Sequence, residues 1–135
     1  MHWMLMPLRR YAEFSGRSRR KEYWMWVLLN AIVGIVIGAL GAWGASSRLF
    51  SSEEEIVLYF GCTLGIWALV TFLPNLAVAV RRLHDTDRSG WTILFGLIPL
   101  VGGLILLYFY VTDGTPGPNR FGEDPKAGEG GQAFS

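Results

Sequence analysis

Charge is what this sequence has least of. Of its 135 residues only 17% are Asp, Glu, Lys or Arg, against about 25% in an ordinary soluble domain. The shortage is concentrated: residues 23–45, 56–80 and 91–112 carry no charge at all. A soluble domain would have to bury three such runs whole, whereas a bilayer accepts them as they are. Cysteine is almost absent too. The single Cys62 sits inside an apolar run, which excludes an intramolecular disulfide and leaves a protonated, inert thiol. Histidine occurs only at positions 2 and 84, too few and too scattered, with Cys62 at membrane depth, to ligate a metal. No metal and no cofactor is therefore expected. The net charge of +1 removes the electrostatic basis for a nucleic-acid partner. The apolar runs also lack the intramembrane ionisable residues that mark proton and ion paths.

What is present is hydrophobic length. Residues 23–45 would span about 34 Å as a helix, and 91–112 about 33 Å, against a hydrocarbon core of about 30 Å. The 25 residues of 56–80 imply tilt or a kink at Pro74. In the third run Pro99 and Gly102-Gly103 interrupt the helical pattern. A kinked full span is expected there; the alternative is a re-entrant hairpin turning near residues 99–103, tolerable only if packed against protein. Tyr23, Trp24 and Trp26 stand where aromatic side chains anchor a span at the interface.

Polar segments separate these runs. In residues 1–22, Trp3, Met4, Leu8, Tyr11, Ala12 and Phe14 share one helical face, opposite Arg9, Arg10 and Glu13. That is the pattern of a short interfacial amphipathic helix, with Pro7 expected at its first position. The basic stretch and the first apolar run are both too long for a cleavable signal peptide. Ser18 is placed to cap the next helix, and Ser52-x-x-Glu55 reads as a capping box. Residues 81–90 form a polar knot between the second and third runs. Residues 113–125 are built from turn formers, and 126–135 have a disordered composition. With three spans, nine Lys and Arg of the N-terminal arm and knot face three of the first loop and tail. The positive-inside rule then puts the N-terminus and the knot in the cytoplasm and the C-terminal tail outside.

Three motifs occur in order: Phe14-x-Gly16-Arg17-x-x-Arg20-x-Glu22-Tyr23-Trp24, then Arg81-Arg82-Leu83-His84-Asp85 with Ser89-Gly90-Trp91, then residues 114–122, Gly-Thr-Pro-Gly-Pro-Asn-Arg-Phe-Gly. Together they resemble the domain-of-unknown-function 805 family of small bacterial inner-membrane proteins, over nearly the whole chain. The resemblance implies an integral protein of the bacterial inner membrane and no particular activity.

The residues themselves suggest roles. Arg81, Arg82 and Arg88 flank the start of the third run, and with Arg17 and Arg20 they make a candidate site for a lipid phosphate; alternatively Asp85, Asp87 or Glu22 pairs with them and ties the cytoplasmic segments together. His84 and Asp85, with Ser89 nearby, do not suit a catalytic triad, because adjacent side chains on a tight loop diverge; no catalytic residue is assigned. Asn30 and Asn75 lie at equal depth, which suggests a polar contact between helices. Gly34, Gly38, Gly61 and Gly65 recur at four-residue spacing, the pattern of close helix–helix packing.

The expectation is an all-α integral membrane protein: a cytoplasmic arm (residues 1–22), a three-helix membrane domain (residues 23–112) and a turn-rich tail (residues 113–135). Its expected role is that of an interaction or lipid-engaging module, not an enzyme. Anionic membrane lipids are its partners on that view, with a protein partner or homo-oligomer beside them. A transporter or channel component, or an enzyme acting on lipid headgroups, is the alternative.

Overall fold

The computed structural model describes residues 2–127. Its elements are α1 (His2–Arg9), α2 (Arg20–Ser46), α3 (Glu53–Asp85), a 3-10 helix (Gly90–Leu97) and α4 (Val101–Val111). Among the described residues the only extended pairing is an isolated bridge, Asn119 to Gly122. The all-helical class follows from the uninterrupted apolar runs.

With 27 and 33 residues, α2 and α3 are about 40 and 50 Å long and run antiparallel. Both are long and apolar enough to cross a membrane. Their outer faces are open and apolar, with Ile35 70%, Val57 69% and Leu69 78% exposed, which no soluble core would leave uncovered. A ladder of polar contacts holds them together. Trp26 Nε1 donates to Asn75 Oδ1 at 2.6 Å, Trp67 Nε1 donates to Asn30 Oδ1 at 3.1 Å, and Tyr59 Oη donates to the Ile37 carbonyl at 3.2 Å. Asn30 and Asn75 thus do not bond to each other; each takes an indole N–H from the facing helix.

The ends of α3 follow from local chemistry. Ser52 Oγ accepts from Glu55 N at 3.3 Å, and the Glu55 carboxylate takes the Ser51 N–H in return, so three glutamates crowd the positive end of the helix dipole. At the other end Asp87 adopts φ 58°, and Arg88 N reaches back to Leu83 O at 3.0 Å. This is a Schellman-type stop with aspartate in the left-handed position. The knot is therefore not a free loop: residues 81–85 are the last turn of α3. Midway, Pro74 has no N–H and leaves the Val70 carbonyl without its helical partner. Tyr11 Oη supplies the missing donor at 2.6 Å, as a proline in a membrane helix requires.

Three expectations are corrected. The arm helix covers residues 2–9, with Pro7 inside it, because Trp3 packs beneath the Arg19 and Lys21 cations at 5.0 and 5.5 Å and stabilises the earlier turn. Ser18 does not cap α2; Arg19 holds that position without a side-chain bond, since Ser18 is buried against α3, its N–H donating to Arg81 O at 3.0 Å. The third correction is the largest. Residues 91–112 are not one kinked span but a hairpin. Its turn is Pro99-Leu100, where Leu100 takes φ 64° and Val101 N closes on Pro99 O at 2.7 Å, a γ-turn that costs about 1–3 kcal/mol in a non-glycine residue. A Cβ on Gly102 would lie 1.7 Å from the Phe95 carbonyl oxygen, so only glycine lets the two arms close. The tip residue Leu100 is 92% exposed.

The hairpin brings the tail back to the end of the molecule from which it left. The small core lies there, made of Ala79 and Leu83 from α3 and Leu106 and Tyr110 from α4, with Tyr23, Ile93 and Phe109 against it. The expected disordered end falls, beyond Ala127, outside the described residues.

Candidate functional site

The centre of the site is Asp85, the last residue of α3, which is 1% exposed. Two guanidinium groups enclose its carboxylate. Arg17 approaches with Nε at 3.0 Å and Nη2 at 2.9 Å, and Arg82 donates through Nη1. Both arginines then reach the tail. Arg17 donates to the carbonyls of Thr115 at 2.6 Å and Gly117 at 2.7 Å. Arg82 donates to Tyr110 O at 3.2 Å and to Thr112 O, satisfying carbonyls that the end of α4 leaves open. The tail replies with backbone, since Thr115 N donates to Asp85 O at 2.8 Å. A Cβ on Gly114 would sit 2.1 Å from Asp85 Oδ2, so the chain passes directly over the carboxylate.

His84 closes the arrangement from the side. Its Nδ1 lies 3.1 Å from Gly16 O, its ring stacks on Phe121 at 4.0 Å and 4°, and its carbonyl accepts from Asn119 Nδ2 at 3.0 Å. Next to it Arg81, with no exposed surface, pairs with Glu22 at 3.1 Å. Glu13 lies 3.9 Å away, held chiefly by Arg10. Segments 14–22, 81–91 and 114–122, which are far apart in sequence, thus form one closed polar clasp. Removing either partner of a buried ion pair strands the other charge, at about 3–5 kcal/mol. The clasp therefore selects one arrangement of the segments.

This geometry corrects the expected anion site. Arg17 and Arg82 are buried against Asp85 and main-chain carbonyls, and Arg81 is buried against Glu22, so none of the three presents a face to a headgroup. Arg88 lies with its guanidinium 3.8 Å over the Phe109 ring. Arg20 is the exception: it binds Val111 O at 2.9 Å and Asp113 at 3.2 Å, yet its side chain stays 45% exposed. It lines a cleft of ≈ 490 Å³ together with Arg19, Lys21, Lys126, Trp24 and Val111. Asp113 is the carboxylate at its edge, shared between Arg20 and Lys126, each at 3.2 Å. The hydrogen bond from Lys126, then its charge and that of Arg20, hold the Asp113 carboxyl below the usual range. The expected glycine packing is corrected as well. A Cβ on Gly34, Gly38, Gly61 or Gly65 would meet nothing within 4 Å, because these residues face away from the α2–α3 contact.

Sequence reasoning missed Thr115, Asn119, Phe121, Lys126 and the Trp26 and Trp67 donors. The tail carried a signal nonetheless, since its density of proline, glycine and asparagine demands one fixed backbone path.

The family model described as Protein of unknown function (DUF805) matches residues 11–123. Inner membrane protein YhaI of Escherichia coli strain K12 is 50% identical over 129 residues, covering 95% of this chain and 98% of YhaI. Inner membrane protein YhaH of the same strain is 46% identical over 126 residues, covering 93% and 98%. No solved structure matches the chain.

Proposed function

The chain belongs to the DUF805 family of proteins of unknown function, and from that premise we propose an inner-membrane module that binds the phosphate of anionic phospholipids on its cytoplasmic face. Two full spans, α2 and α3, cross the bilayer, and the hairpin re-enters it from the cytoplasmic side. With the arm, the clasp and the tail on that side, eleven of the twelve Lys and Arg lie in the cytoplasm and only Arg48 lies outside. The positive-inside rule favours this topology over three spans.

The observation that carries the reading is the cleft. Four cations line it, and the carboxylate at its edge, Asp113, meets only Arg20 and Lys126; Trp24 and Val111 give the cleft an apolar edge at the depth where headgroups begin. The buried clasp is the frame that holds these cations, not the site itself, and the role is binding rather than catalysis. A Lys or Arg near an anionic surface contributes about 1 kcal/mol, so Lys21→Gln with Lys126→Gln should weaken binding about thirtyfold. The test is titration of the purified protein into nanodiscs of phosphatidylglycerol in a phosphatidylcholine background, followed by native mass spectrometry of retained lipid. Selective loss of phosphatidylglycerol supports the reading. Equal retention by the double variant and the parent would end it.

A further inference from the structure

A second cleft, of ≈ 530 Å³, opens between the C-terminal half of α3 and the 3-10 helix, within the size of small-molecule sites, about 300–1,000 Å³. It owes nothing to the cations. Leu76, Val80, Phe14, Trp91 and Leu94 are among the residues that line it, and no Asp, Glu, Lys or Arg does. Its polar groups are His84 and Ser89.

The state of His84 follows from its partner. The Gly16 carbonyl can only accept, so in the neutral ring Nδ1 carries the proton it donates there, and Nε2 keeps a lone pair. Nε2 has no partner among the described residues and points toward Gly90, whose Cβ, if present, would lie 3.6 Å from it. That missing Cβ leaves the way to Nε2 open. Ser89 Oγ accepts from Trp91 N at 3.4 Å and retains its own proton to donate. An acceptor beside a donor, at the head of an uncharged apolar groove, is complementary to one hydroxyl on a hydrocarbon chain. A headgroup bearing a phosphate would find no cation there.

We propose that this groove binds a neutral lipid alcohol of the diacylglycerol type, its hydroxyl donating to His84 Nε2 and its chain lying along Leu76, Val80 and Leu94. The site is separate from the phosphate cleft and does not depend on it. His84→Asn is the informative variant: its amide N–H takes the place of Nδ1 toward Gly16, while nothing replaces Nε2. Leu76→Trp fills the groove and leaves every hydrogen bond of the clasp in place.

The experiment uses the full chain in nanodiscs of phosphatidylethanolamine and phosphatidylglycerol containing a trace of diacylglycerol with a photoreactive diazirine in one chain. Adducts are mapped by mass spectrometry after irradiation. Adducts should concentrate on Phe14, Trp91 and Leu94. They should fall about fivefold with His84→Asn, the worth of one neutral hydrogen bond, and vanish with Leu76→Trp. On the parent protein, acetylating the probe's hydroxyl should give the same reduction as His84→Asn, which holds even where that variant folds poorly. Undiminished labelling by the acetylated probe, or adducts spread evenly over the outer faces of α2 and α3, would overturn the proposal.

Discussion

The two halves of the α2–α3 pair are built on opposite rules. At the clasp end directional polar contacts lock the segments around the small core: Arg81 with Glu22, Arg17 and Arg82 with Asp85, tail carbonyls on guanidinium groups. Along the shafts, described polar contacts between the helices are limited to the two Trp–Asn pairs and the Tyr59 bond, and the regularly spaced glycines face outward. The difference reflects the two solvents. Lipid tails are as apolar as leucine, so burying hydrocarbon does not drive spans together. Polar groups removed from water must instead find each other, and where they meet they fix a unique fold.

That contrast can be broken at the clasp. Asp85→Ala leaves two buried guanidinium groups without their carboxylate and should cost about 3–5 kcal/mol, seen as loss of folded yield and a lower melting temperature in detergent. Arg17→Lys should not be tolerated either, since an ammonium cannot hold the carboxylate and two carbonyls at once. Full stability of both variants would mean that the clasp is ornamental.

A smaller effect sharpens the comparison at the glycines. Gly102→Ala forces the hairpin arms apart and should cost about 1–3 kcal/mol as overpacking. Gly114→Ala, which presses on Asp85, should behave alike. Gly38→Ile and Gly61→Ile should leave the melting temperature of the monomer unchanged. If the shaft variants alone were damaging, a second copy of the chain would have to cover those faces, which size-exclusion chromatography with light scattering would reveal.

The smallest effect is a titration. Lys126 and Arg20 hold the exposed Asp113 carboxyl below the usual range. A depressed carboxylate contributes stability above its unfolded value of about 3.9 and loses it as pH falls through the lower folded value; exposure keeps the contribution slight. By NMR, Lys126→Ala should move the Asp113 titration upward. An unmoved titration would remove Lys126 from the cleft.

Much of this was legible beforehand. Run length and missing charge gave both long helices, the Ser52–Glu55 cap gave the start of α3, and three ordered motifs gave the family. The hairpin is hidden because residues 91–112 are long enough to span, and length alone does not show Gly102 meeting Phe95. Counting charges under each topology would have pointed to it: Arg120 and Lys126 join the other cations only if the chain turns back. The burial of Arg81 and Arg82 is invisible in sequence for a related reason. A run such as Arg81-Arg82 looks available in sequence; the alternative pairing with Glu22 and Asp85 is the one the structure shows, while Arg17 on Asp85 and the tail carbonyls of Tyr110 and Thr112 on Arg82 are contacts that only the fold assembles.

The proposed topology puts the arm, the knot and the tail on one cytoplasmic face. It is tested by Glu123→Cys in a Cys62→Ala background, with Arg48→Cys as the outward control, both labelled in spheroplasts by a membrane-impermeant maleimide. Position 48 should label in intact spheroplasts, and position 123 only after the inner membrane is lysed. Labelling of position 123 in intact spheroplasts would place the tail outside, separate it from Asp85, and contradict the proposed topology.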